Sequence, residues 1–198
     1  MAIVNSYTRI VPTPDRTSLD AIVLAARDLL ETEGLSGMTM NAVAARVGVR
    51  APSLYKRVES REKLIQLVAE ATMTEFASRL DGATTVAELA NGFRDFGHER
   101  PAAFQLVMTP APGVPSIRLE FAIRATEAVL RVTSALAGPE HGLEAARTLT
   151  AWVAGFVSME LSGSFKLGGD VQSAWDFGLA AITAAIRSRP TTTDAPAA

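Results

Sequence analysis

Residues 40–64, MNAVAARVGVRAPSLYKRVESREKL, constrain the fold of this chain more than any other stretch. Two short helical patterns flank a tight turn at Gly48-Val49. Apolar Val43, Ala44 and Val47 on the first can pack against Leu54 and Val58 on the second. That pairing leaves Ser53, Tyr55, Lys56 and Arg57 to face outward. Arg50, Lys56 and Arg57 lie on the second helix, and Arg61 and Lys63 follow it. A helix-turn-helix offers its second helix to the major groove of DNA in this way. DNA binding is the leading expectation, although the formal net charge is −2.

The charge balance changes sign along the chain. Residues 36–67 carry six basic and two acidic side chains, or +4, whereas residues 68–198 carry ten basic and fourteen acidic, or −4. An acidic remainder repels phosphate and turns the basic end inward on DNA. The absence of cysteine excludes disulfides, thiolate metal sites and cysteine nucleophiles. His98 and His141 are the two histidines, and neither has neighbours at metal-ligand spacing, so no metal and no cofactor are expected. Without a phosphate-binding glycine loop either, the catalytic parts of an enzyme are missing. No uncharged apolar run approaches the ~18 residues of a membrane span. The first residues lack the pattern of a signal peptide, so a cytoplasmic location is the default expectation, with no membrane partner.

Helical periodicity and its stop signals recur throughout, and no strand pattern interrupts them. Ser18 or Thr17 can cap a first helix that ends at Gly34, Thr39 the first helix of the turn motif, and Ser60 a long helix reaching towards Leu80. Pro52 suits the first turn of the second motif helix. Thr85 and Glu88 have the spacing of a capping box. Further helices are expected from Pro101, over 116–137, near 143–165 and near 171–188, with a loop over 109–115. The expected fold is all-α with about nine helices. Its divisions are a flexible arm (1–15), a three-helix helix-turn-helix DNA-binding domain (16–67), a helical effector-binding and dimerisation domain (68–189) and a disordered tail (190–198).

A helix closing on Glu-Thr-Glu-Gly-Leu, then Thr39, Val43-Ala44, Gly48-Val49, Leu54-Tyr55 and Arg61-Glu62-Lys63-Leu64, resembles the TetR family of transcriptional regulators. The resemblance covers roughly residues 16–67 at fixed spacing, and beyond them it rests on helix count and order. The stretch TAWVAGFVSMELSG resembles part of one C-terminal domain type of that family, in which His-Gly stands where this chain has Ala154-Gly155. The resemblance implies a homodimer on a pseudopalindromic double-stranded operator, its two recognition helices about 34–36 Å apart. It also implies a small effector, mainly apolar, that releases a repressor. The competing expectation is a helical carrier of hydrophobic ligands, or an interaction protein, without DNA binding.

The DNA-contact candidates are Thr39, Arg50, Ala51, Ser53, Tyr55, Lys56, Arg57 and Lys63. Relatives often cap the recognition helix with Ser or Thr where this chain has Arg50. That cap loss is worth ~1 kcal/mol, and it sets a cation where a bidentate pair with guanine discriminates by about 1–3 kcal/mol. Arg57 and Arg61 have Glu59 and Glu62 as alternative partners. Phe93, Phe96, Phe104, Met108, Phe121, Trp152, Phe156 and Met159 supply apolar surface for a pocket, though each taken singly is expected in the core. Glu160 shares their helix and is expected to be solvated, the alternative being a buried carboxylate facing a cationic ligand. Trp152, Trp175, Gly178, Leu179, Ile182 and Ile186 are expected at a four-helix dimer interface, beside a small-residue face of Ala174, Gly178, Ala181 and Ala185.

Overall fold

Short polar side chains start the helices where the local pattern requires them. In the computed structural model, which describes residues 18–187, the Ser18 hydroxyl accepts from the Ala21 N–H at 3.2 Å and opens α1 (Leu19–Gly37). Thr39 caps α2 (Met40–Arg46) through the Ala42 N–H at 3.2 Å, and Ser60 caps α4 (Arg61–Leu80) through the Lys63 N–H at 3.1 Å. Between them α3 (Ala51–Tyr55) starts at Arg50 without a side-chain cap, with Pro52 in its first turn. Gly34 (φ 70°) forms a kink three residues before the end of α1, and Gly48 (φ 76°) turns the chain after α2, both with the positive φ that glycine adopts freely. The expected arm 1–15 and tail 190–198 lie outside the described residues.

The remaining elements are α5 (Val86–Glu99), α6 (Pro101–Met108), α7 (Leu119–Ala137), a 3-10 turn (Pro139–His141), α8 (Gly142–Leu161) and α9 (Val171–Arg187). Thr85 and Glu88 form the capping box of α5. The nine α-helices, with no strand among the described residues, make the chain all-α. Three expected boundaries move, the first being that of α1, which continues past a kink at Gly34 to Gly37. α7 begins at Leu119 rather than at 116, because the Glu70 carboxylate holds the Arg118 N–H at 3.2 Å and its guanidinium at 3.0 Å, keeping Arg118 extended. α8 stops at Leu161, where Gly163 (φ 63°) turns the chain.

Two apolar cores share two helices. The head core joins Ile22, Leu29 and Leu30 of α1 to Met40 and Val43 of α2, Leu54 of α3 and Leu64 and Val68 of α4. The body core stacks Phe76, Phe93, Phe96 and Phe104 against Val129, Leu149, Val153 and Trp175. α4 gives its first half to the head and its second half to the body. α6 divides by face: Ala103 and Leu106 enter the head core, and Phe104 enters the body core. Continuous helical backbone therefore runs across the expected boundary at 67.

Polar contacts reinforce that junction. α6 has no cap of its own, and the Glu31 carboxylate of α1 accepts from the N–H groups of Ala102 and Ala103, each at 3.0 Å. A carboxylate there satisfies orphan donors and meets the positive end of the helix dipole. Arg27 of α1 is paired with Glu75 of α4, which also binds Arg79 at 2.8 Å. Burial, with Arg100 nearby, pulls the Arg27 guanidinium below its ordinary pKa.

Candidate nucleic-acid interface

The turn motif divides its side chains by face. Val43, Ala44, Leu54 and Val58 are buried, with Val47 packed partly exposed against the same cluster. On the other side Thr39, Arg50, Ser53, Lys56 and Arg57 are exposed, and Tyr55 is 51% exposed. Ala51 and Lys63 are half-buried. The eight candidates are thus found on the two ends of α3, the first residue before α2 and the first turn of α4.

Lys63, Arg61 and Arg46, on or near this side, have protein partners. Lys63 Nζ donates to Gln66 Oε1 at 3.1 Å, Gln66 Nε2 donates to Glu70 at 3.1 Å, and Glu70 holds Arg118. Burial alone would raise the Glu70 carboxyl, but the hydrogen bonds from Arg118 outweigh it and hold it below the usual carboxylate range. Arg61 pairs with neither Glu59 nor Glu62 among these contacts: its Nε donates to the Met38 carbonyl at 3.0 Å and its Nη2 to the Leu35 carbonyl. Arg46, at the end of α2, lies 3.5 Å from Asp28.

The pocket candidates do not gather around one cavity. Phe93 and Phe96 pack edge-on against Phe76, with centroids 4.4 and 5.3 Å away, and Phe104 is fully buried beside them. Those three belong to the buried core cluster of the body. Trp152 and Phe156 are half-buried and pack on Trp175, Met108 is half-buried, and Met159 is exposed. Phe121 lies under the Arg118 guanidinium, 4.7 Å from ring to charge, and lines a different groove of about 370 Å³ between α1, α4 and α7. A crevice of about 280 Å³ opens between head and body, lined by Leu30, Leu35, Gln105, Leu106, Thr109 and Val114 among others. None of the eight pocket candidates lines it.

Glu160 also differs from the expectation of a solvated side chain. Only 7% of its side chain is exposed, and it binds Arg94 through both carboxylate oxygens, at 2.6 and 3.0 Å, and His98 at 3.2 Å. Arg94 in turn covers the Trp175 ring at 4.8 Å. Burial pushes the Glu160 carboxyl up, and the bonds from Arg94 and His98 more than reverse it, so it stays below the usual range. The carboxylate already has its cation, supplied by α5.

The dimer candidates on α9 need a similar correction. Trp175 is 0% exposed and Ile186 is buried, both inside the body core of a single chain. Leu179, Ile182 and Trp152 pack partly against that core, and Gly178 lies so close to the Trp152 ring that a Cβ would collide with it. The large apolar face of α9 therefore covers its own subunit. Its small-residue face, with Ala174, Ala181 and Ala185, is exposed, as are Ala151 and Gly155 on α8. Phe177 projects from the same helix at 79% exposure.

Residues 22–68 match the sequence profile described as bacterial regulatory proteins, tetR family, and residues 86–182 match that of the tetracyclin repressor-like C-terminal domain. An HTH-type transcriptional regulator of Mycobacterium tuberculosis is 28% identical over 162 residues, 77% of this chain and 74% of that protein. The class E tetracycline repressor protein of Escherichia coli is 33% identical over 64 residues, 32% of this chain and 30% of that protein. Among solved structures, the regulatory protein SCO4313 superposes with a TM-score of 0.72 at 24% identity, over 86% of this chain and 98% of that one. A TetR variant of Acinetobacter baumannii AYE in complex with minocycline superposes with a TM-score of 0.64 at 22% identity, over 87% and 99%.

Proposed function

The chain belongs to the tetR family of transcriptional regulators, and on that premise we propose that it is a dimeric, non-enzymatic repressor that binds a pseudopalindromic operator and leaves it when a small, mainly apolar effector binds. The observation that carries the reading is the two-faced turn motif: an apolar back locked into the head core, and an outer edge bearing Thr39, Arg50, Ser53, Tyr55, Lys56 and Arg57. Phosphate contacts come from Thr39, Tyr55, Lys56 and Lys63, which position the head. Base contacts come from Arg50, Ala51 and Ser53, which carry sequence preference.

Selection from a randomised duplex pool tests the reading, followed by titration of the recovered site at several salt concentrations. Lys56→Ala is expected to weaken all sequences about equally and to flatten the log–log salt dependence by about 0.9. Arg50→Ala is expected to relax preference at one base pair per half-site, a loss of about 1–3 kcal/mol in discrimination. Recovery of no sequence by the wild-type protein would sink the repressor reading.

The dimer reading is supported by the exposed small residues of α8 and α9, which permit helices to approach within about 8–10 Å, and by Phe177, a large apolar ring left in water. Phe177→Glu is expected to yield a monomer in sedimentation equilibrium, with head stability unchanged. A dimer of undiminished strength would move the interface elsewhere. The effector reading is supported by the relative that binds minocycline and by the partly exposed apolar surface of Met108, Trp152, Phe156 and Met159. The cytoplasm is where such a regulator would meet its operator, and no described helix is long and apolar enough to cross a membrane.

A further inference from the structure

Arg61 sits at the first position of α4, and its guanidinium reaches the turn where the chain leaves α1. It donates from Nε to the Met38 carbonyl at 3.0 Å and from Nη2 to the Leu35 carbonyl. Both acceptors belong to the turn that closes α1, where carbonyls have lost their helical donors. Met38 is followed directly by Thr39, the cap of α2, and Arg61 directly follows Ser60, the cap of α4. The span between the two caps contains all of α2, the turn and α3. A single side chain therefore closes the base of the whole DNA-reading segment.

We propose that Arg61 is a positioning residue for DNA recognition: it fixes the start of α2 against the start of α4, so that Thr39 and Lys63 meet phosphates on either side of the recognition helix. The planar fork of arginine suits this task, since two of its N–H groups reach two carbonyls at once, whereas a lysine ammonium acts as a point charge. The two carbonyls engage one N–H of Nε and one of Nη2, which sets the plane and direction of the guanidinium. The inference rests on the DNA-binding reading above, but part of its test is independent of it.

Arg61→Lys keeps the charge and removes the fork; Arg61→Gln removes both. The probe is the duplex that the wild-type protein recovers from the random pool, with Lys63→Gln as the comparison, at temperatures well below each variant's unfolding midpoint. Both Arg61 variants are expected to bind about tenfold more weakly, the scale of hydrogen bonds lost from a charged donor, with the salt slope of the wild type. Lys63→Gln is expected to flatten that slope by about 0.9. In the free proteins, amide exchange over residues 39–43 is expected to quicken in both Arg61 variants. If Arg61→Lys binds like the wild type while Arg61→Gln loses about 0.9 of slope, Arg61 is a phosphate contact and the inference is overturned. Wild-type affinity in both variants, or unchanged exchange, overturns it as well. Failure of the wild type to bind any duplex removes the DNA reading instead, and the exchange measurement still judges the bracket.

Discussion

Leu54→Ala is expected to abolish operator binding and to destabilise the head by about 2–5 kcal/mol, the range for truncating a fully buried leucine. Leu54 is 1% exposed and is the sole buried residue of α3. α3 spans five residues, far too few for a helix to persist by itself in water. Its orientation depends on that one side chain reaching the Val43 and Val58 cluster, with Val58 anchoring the segment just beyond it. Urea unfolding followed by circular dichroism should show an early transition in the variant, while the body core, which does not include Leu54, unfolds with the wild-type midpoint. Near-wild-type affinity in Leu54→Ala would mean that α3 is held by something other than its apolar anchor.

The second large effect lies in the body. Glu160→Ala leaves the Arg94 guanidinium over Trp175 without its carboxylate, and breaking a buried pair on one side costs about 3–5 kcal/mol. Some exposure of Arg94 and His98 moves the expected loss to the lower end of that range. Because the folded-state carboxyl lies below its ordinary value of 4.5, its contribution is complete above that pH and disappears as pH falls through the folded value. Wild-type thermal midpoints should therefore drop steeply on acidification below about pH 4.5, and Glu160→Gln should show a shallower acid limb. Glu70, depressed in the same way by Arg118, accounts for part of the residual slope. Equal acid limbs in wild type and Glu160→Gln would show that the α5–α8 pair adds nothing.

Legibility in the sequence tracked the range of the interaction. Ser18, Thr39, Ser60 and the Thr85–Glu88 box cap their helices through partners three residues away, so the letters carry both halves of each contact. The outward and inward faces of the turn motif were legible for the same reason. Glu31 capping α6, Glu70 holding Arg118 and Glu160 holding Arg94 join residues 48 to 72 positions apart, and neither end announces its partner. Among the apolar residues, periodicity marked Trp175, Ile186 and Phe93 as needing cover, but it carried no sign of whether that cover came from the same chain. The fold supplied it internally for all three.

What the sequence determined by itself was the helical class, the capped boundaries and a cationic edge on a helix-turn-helix. Each of these depends on side chains within a turn or two of one another. Only the tertiary structure decided that α4 and α6 belong to both cores, that Glu160 is neutralised from α5 and that Arg61 spans the base of the reading segment. Those outcomes depend on which distant backbone and charged groups are brought within hydrogen-bond reach. A helix fixes the spacing of its own side chains, and only packing fixes what they meet.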